Sequence, residues 1–343
     1  MRKLLNTLHV MSQGAYLHRD GETVAVKIEQ QLKLRVPVHT LEGLVCWGQV
    51  LCSPPVLSLC CEKGVGISFL TEQGRFLARV QGPVSGNVLV RRQQYRLCDG
   101  GEAALPTVRM IVTAKITNSR LVLLRAARES SDPTTEELLR AAARRLQWIG
   151  LDAARAESLD IARGHEGLAG QEYFSVFDYM IGREDEAFRF SGRSRRPPLD
   201  RPNALLSFVY ALLRHDIESA LESVGLDPAV GFLHTDRPGR PSLALDMMEE
   251  LRAPLADRLV LTMINRRQVQ ASDFTVQDGG ATLLEDDARK QIVAAWQLRK
   301  QEEIEHPFLK ERVPIGLIPY TQALLLSRYV RGGLDAYPAF LWR

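Results

Sequence analysis

The sequence predicts an α+β protein: a β-rich N-terminal domain over residues 1–100, then a larger α-helical domain over residues 101–343. Three observations carry that prediction. In the first hundred positions apolar residues come in short runs or alternate with polar ones, as in strands. Beyond Pro106 they recur at three- and four-residue spacing, as in helices. Asp99-Gly100-Gly101 stands between the two patterns as a linker. The 343 residues, 45% hydrophobic and 25% charged, suffice for two domains of ordinary soluble composition.

The elements follow in order. Leu4, Leu5, Leu8 and Val10 open an extended segment. Ala15–His18 and Thr23–Ile28 flank Asp20-Gly21, a hairpin dipeptide. Leu32–Val38 alternates as a half-exposed strand, and Leu41–Trp47 is a further short apolar run. Ser53-Pro54-Pro55 starts a short helix that Gly64 ends. Gly66–Leu70 and Arg75–Val80 form a second hairpin around Thr71-Glu72-Gln73-Gly74. Helices are expected over Thr107–Arg128 and, after Ser131-Asp132-Pro133, over Thr134–Trp148. A third runs from Leu159 to Met180, a fourth over Asn203–Val224, a fifth from Leu243 with Ser242 as its cap, and a sixth from Pro254 to Arg267. A hairpin at Asp278-Gly279-Gly280 joins two strands within Phe274–Leu284. Arg289–Gln301 and Tyr320–Arg331 complete the helices. The tail Phe340-Leu341-Trp342-Arg343 either docks on a partner or packs on its own domain.

A formal net charge of +3 says little about partners, so local charge must carry that argument. The five cysteines are odd in number, lie in the first third and show no CxxC spacing. They fit reduced thiols better than disulfides or a zinc site. The N-terminus lacks the shape of a signal peptide, and no stretch approaches the ~18 apolar residues of a membrane span. A cytoplasmic protein is expected.

The chemistry gathers around Gly231–Arg252. His234 leaves the apolar pair Phe232-Leu233, and Asp236-Arg237-Pro238-Gly239-Arg240-Pro241 makes a tight loop. On the helix that follows, Asp246 and Glu249 project from one face. An imidazole folded back over carboxylates outlines a divalent-metal site. The same residues also fit ordinary packing and surface roles. Upstream, Glu166 sits inside Gly164-His165-Glu166-Gly167. Glycines cost a helix about 1 kcal/mol each relative to alanine, which makes sense if a helix or ligand approaches closely. A surface glutamate is the alternative. Residues 187–201 carry Arg189, Arg193, Arg195, Arg196 and Arg201 against one acid, Asp200. That composition suits a loop gripping phosphates, or a solvated charged loop.

Four segments, in this order and spacing, resemble a known family: Gly164–Gly167 with Tyr173-Phe174; Arg196–Ser207; Gly231–His234; and Pro241–Glu249. The chain is similar along nearly its whole length to the CRISPR-associated endonuclease that acts as integrase in spacer acquisition, most of all to members from type I systems, subtype C. The resemblance implies that Glu166, His234 and Glu249 bind the catalytic ion, with Glu249 where some members have aspartate, and that Asp246 supports the site. Ligands of this kind suit Mg²⁺ or Mn²⁺. It implies 3′-hydroxyl transesterification on DNA, both prespacer and CRISPR repeat, by a homodimer with dimerisation and partner contacts in the N-terminal domain. Two such dimers clasp a dimer of a small ferredoxin-like companion in a heterohexamer, and an iron–sulfur nuclease is a further partner. The competing readings are a non-catalytic DNA-binding architectural protein and a hydrolase of small phosphoesters; the arginine loop favours a polymeric anion.

Overall fold

A computed structural model describes residues 5–80, 82, 88–182 and 185–342. The chain forms two compact units, Met1–Ser85 with Asp286–Glu302, and Gly86–Glu285 with Glu303–Arg343. It is the expected mixture of an N-terminal β region followed by helices.

The first unit holds β1 (Asn6–Val10), β2 (Tyr16–Asp20), β3 (Thr23–Ile28), β4 (Gln31–Pro37), β5 (Leu41–Trp47), β6 (Leu51–Cys52), α1 (Pro54–Glu62), β7 (Gly66–Leu70) and β8 (Phe76–Val80). Two four-stranded sheets result, ordered β1-β5-β7-β8 and β4-β3-β2-β6. The hairpin at Asp20-Gly21 forms, with Gly21 at φ 60°. Between β3 and β4 the turn is made by Glu29 and Gln30 at φ 49° and 63°, two residues that carry no turn signature. The parallel pairs β1–β5, β5–β7 and β2–β6 join strands that no tight turn connects. Leu17, Val24, Leu44, Cys46, Leu59 and Ile67 fill the core, and all five cysteines of the chain are free thiols.

The second unit begins with α2 (Val88–Asp99). Its buried Gln94 donates to the carbonyls of Asp227 and Val230 at 2.9 and 2.8 Å, so this helix belongs with the helical unit. The expected division at residue 100 therefore differs from the observed one at 85/86. Asp99-Gly100-Gly101 is not a linker between units but the short step from α2 to α3 (Leu105–Glu129). Next come α4 (Pro133–Ala154), capped by Asp132, and α5 (Leu159–Ser175), capped by Ser158. The latter stops before Met180, where a separate 3₁₀ turn takes over. Asp200 caps α6 (Arg201–Ser223) through a 2.7 Å bond from the Asn203 N–H.

In α7 (Ser242–Leu251) the expected cap, Ser242, is instead the first helical residue, and its hydroxyl donates to the Thr235 carbonyl. Pro254 starts no new helix. It lies in a π-helical turn, Arg252–Asp257, that runs straight into α8 (Arg258–Asn265). Proline has no N–H for the carbonyl four residues back. That carbonyl, on Glu250, accepts from Asn118 Nδ2 at 2.7 Å instead.

The hairpin of β9 (Phe274–Val276) and β10 (Thr282–Leu284) follows, with Gly280 at φ 77° in its turn. Then α9 (Asp286–Gln301) returns to the first unit, burying Ile292, Val293 and Trp296, with Gln297 Nε2 3.0 Å from His9 Nε2. The chain ends through β11 (Glu303–Glu305), β12 (Arg312–Pro314) and α10 (Ile318–Val330). Tyr337 and Phe340 of the tail are buried within the second unit. Among the described residues no helix is long and apolar enough to cross a membrane.

Candidate metal and catalytic site

Three helices of the second unit, α3, α5 and α7, and the loop ahead of α7 supply the site. Gly231 brings the loop ahead of α7 hard against that helix: a Cβ there would lie 2.8 Å from Ser242 backbone and 2.9 Å from Asp246 Oδ2. The close approach lets one fully buried carboxylate, Asp246, gather the next three backbone N–H groups. Phe232 and Leu233 donate to Oδ2 at 2.6 and 2.9 Å, and His234 donates to Oδ1 at 2.9 Å. The His234 ring places Nδ1 2.6 Å from the same Oδ1. Gly231–His234 is thus held by a side chain and not by a strand ladder. With Nδ1 engaged, Nε2 is the ring nitrogen left for a ligand.

Glu166 on α5 and Glu249 on α7 meet at one cation. Lys115, on α3, pairs with Glu166 Oε1 and lies 2.8 Å from Glu249 Oε2. Arg252 pairs with the other oxygen of Glu249, which is buried. Burial alone would oppose ionisation of Glu249. Arg252, Lys115 and His234 overcome it and hold the carboxyl at about 2. Beside the pair lies a cavity of about 470 Å³ whose wall includes Glu166, Gly167, Gly170, Arg193, Tyr210 and Glu249. A Cβ at Gly164 or Gly167 would meet nothing within 4 Å. The glycines of α5 therefore admit no neighbouring helix, and two of them, Gly167 and Gly170, face the cavity. Deeper in its wall Tyr210 donates to Asp257 at 2.7 Å, and burial pushes the Asp257 carboxyl up to about 6.

Of the three expected ligands, the structure joins Glu166 and Glu249 through Lys115. His234 acts on the charge of Glu249 without entering that pair. Among the described residues no three His, Cys, Asp or Glu side chains are arranged to hold a metal ion. The donor set still fits a hard divalent ion: two carboxylates already converge on a positive charge, and Asp246 fixes an imidazole nearby. Lys115 and Arg252 went unnoticed in the sequence. Lys115 had a signal, the lone charge in a largely apolar run, Ile111-Val112-Thr113-Ala114-Lys115-Ile116.

The sequence profile described as CRISPR associated protein Cas1 matches residues 8–298. This chain belongs to the Cas1 family. A CRISPR-associated endonuclease Cas1 from Chlorobaculum tepidum is 54% identical over 343 residues, the full length of both chains. The structure of a Cas1 protein from Thermotoga maritima superposes with TM-score 0.79 at 24% identity, covering 96% of this chain and 97% of that one. A chain of a Cas6-RT-Cas1–Cas2 complex gives 0.82 at 24% identity, over 100% of this chain and 36% of the longer one. At such identities the structural likeness is one of fold.

The arginines expected to grip DNA divide in two. Arg189, Arg195 and Arg196 are exposed. Arg193 and Arg201 are half-buried and spent on the protein itself. Arg193 donates to Asn203 Oδ1 and the Ser194 carbonyl, both at 2.6 Å, with its guanidinium 5.3 Å from the Tyr210 ring; Arg201 donates to the Ala187 carbonyl at 3.0 Å. These two shape the loop of this Cas1 family member, and the other three stand open to solvent.

Proposed function

We propose that the chain is a divalent-metal-dependent DNA endonuclease and integrase of CRISPR adaptation, working in the cytoplasm in a type I system of subtype C. The observation that carries this is the meeting of Glu166 and Glu249 on one cation beside an imidazole oriented by a buried carboxylate. The family, and full-length relatives named as endonucleases, support the same conclusion.

Glu166, Glu249 and His234 Nε2 would hold Mg²⁺ or Mn²⁺. A bound ion would supply Lewis acidity at a phosphodiester and help a hydroxyl ionise. Asp246 keeps Nδ1 occupied and His234 in one orientation. Arg195, in the cavity wall, and Arg189 and Arg196 at the surface offer charge to a DNA backbone. In strand transfer a DNA 3′-oxygen forms a bond to phosphorus as the P–O bond to the leaving strand breaks. The attacking hydroxyl loses a proton and the departing 3′-oxygen gains one, so the number of phosphodiesters is unchanged. With water in place of the 3′-hydroxyl the same site cuts DNA. Its assembly is a homodimer joined to the small ferredoxin-like companion in a heterohexamer, with an iron–sulfur nuclease as a further partner.

The test is integration of a prespacer into a CRISPR plasmid by this protein and its companion, with Mn²⁺ and with chelator. Strand transfer should require the metal. His234→Ala should lose it by at least ~100-fold while binding DNA as before. Equal transfer by the variant, or transfer in chelator, would sink the proposal. DNA binding without transfer under any condition would favour the architectural alternative.

A further inference from the structure

We infer that Lys115 is a tethered counter-cation of the metal site: its ammonium bridges Glu166 and Glu249 in the metal-free protein and must be displaced for a divalent ion to bind. The inference rests on the metal site proposed above and adds to it a residue that sets affinity.

Charge is the first argument. Glu166, Glu249 and the Asp246 carboxylate that holds His234 bring three negative charges, and Lys115 and Arg252 bring two positive ones, so the cluster carries one negative charge as it stands. A divalent ion added to an unchanged cluster would leave one uncompensated positive charge among buried carboxylates, a costly arrangement away from water, and the loss of one side-chain cation would restore the balance. One cation has to leave.

Mobility says which. The Arg252 guanidinium is pinned between Glu249 and the Tyr210 ring, 5.4 Å from its centroid. Lys115 is a single ammonium on a flexible four-carbon stem, and its bonds among the described residues go only to the two carboxylates. It also has somewhere to go. Lys115 lines the same cavity of about 470 Å³ as the carboxylates. The nearest atom to a Cβ built on Gly170 is Lys115 Nζ, at 3.9 Å, so α5 is bare where the ammonium would swing.

A protein whose binding-competent form is a minor fraction binds its ligand more weakly by that fraction. Removing the bridge should therefore tighten metal binding. A lysine with a merely structural role would do the opposite, since its loss would disorder the ligands. Mn²⁺ titration of the purified full chain, followed by the paramagnetic resonance of free Mn²⁺ at mildly alkaline pH, separates the two. Lys115→Met should bind Mn²⁺ about tenfold or more tighter than wild type. Lys115→Arg should restore the wild-type affinity or bind more weakly, and Lys115→Gln, which keeps a polar group without the charge, should follow Lys115→Met. Glu166→Gln should lose the site. Unchanged or weaker binding by both Lys115→Met and Lys115→Gln, with Glu166→Gln still defective, overturns the role of Lys115 and leaves the metal site standing. No saturable binding in wild type, or equal binding in Glu166→Gln, overturns the metal site and the inference together.

Discussion

Glu249 and Glu250 are neighbours on α7, both buried, and their carboxyls sit at about 2 and about 7. Burial raises both. Cations answer it at Glu249, whereas Glu250 is met by neutral donors: the Tyr337 hydroxyl at 2.5 Å, the Phe340 N–H at 2.6 Å and the Gln322 amide. Neutral dipoles do not outweigh the burial. Set against the ordinary value of 4.5, the signs are opposite. Glu249 contributes stability above pH 4.5 that is lost as pH falls toward 2. Glu250 stays protonated in the folded chain while the unfolded chain ionises, so its contribution is complete below pH 4.5 and lost as pH rises through 7. Asp257, at about 6, adds to the second effect. Glu250→Gln should therefore lessen the decline of stability between pH 4.5 and 7 by on the order of 3 kcal/mol without abolishing it. Urea melts across that range check this, and an unchanged slope would mean that Glu250 is ionised throughout. Asp246→Asn has a different signature. It turns an acceptor of four bonds into a group with two donors facing backbone N–H groups, at a cost of about 3 kcal/mol. Denaturant midpoints well below wild type are expected. None of this was legible in adjacent glutamates, because nothing local says which of them meets cations.

At the scale of elements, the sequence was readable wherever the signal was local. Asp132 and Asp200 cap the helices that follow them, and glycines turn the hairpins at Gly21, Gly74 and Gly280. It failed where one element answers to another. The helix expected at Pro254 is the continuation of α7, because Asn118 from α3 takes the carbonyl that the proline abandons. The arginine loop shows the same limit. Five arginines looked alike in composition, yet Asn203 and the Ala187 carbonyl claim two of them. The exposed Arg189, Arg195 and Arg196 are the ones left for the proposed DNA contacts. Each phosphate contact removed should flatten the dependence of log affinity on log salt by about 0.9 for duplex or 0.7 for single strands. The triple alanine variant should bind all sequences more weakly with a shallower slope and an unaltered melting temperature. Parallel salt plots for variant and wild type would place the loop off the backbone.

At the scale of the whole molecule, contacts between distant parts of the chain decide what local patterns cannot. The cluster of Lys115, Glu166, His234 and Glu249 spans three helices and a loop. The resemblance identified three of its members, and only the fold supplied Lys115. Likewise α9 joins a unit whose strands lie more than two hundred residues earlier. The tail had two readings, docking on a partner or packing on its own domain, and in this structure it packs. The Phe340 N–H and Tyr337 hydroxyl bond Glu250, the Phe340 carbonyl accepts from Asn118 Nδ2 at 2.8 Å, and the Trp342 N–H donates to Asn118 Oδ1 at 2.8 Å. The last residues of the chain thereby fasten α3 to α7 one position from Glu249. Removing residues 336–343 would strip Glu250 of two of its three donor groups and empty the pocket that the Phe340 ring fills. The expected cost is about 3–5 kcal/mol, the range for losing a buried aromatic. Tyr337→Phe, which deletes one hydroxyl, should cost about 1–2 kcal/mol. If the tail instead served to hold a partner, truncation would leave the melting temperature of the isolated protein untouched and weaken only the complex. Thermal and urea denaturation of the full chain and the truncated one distinguish these outcomes, and equal stability would remove the tail from the support of α7.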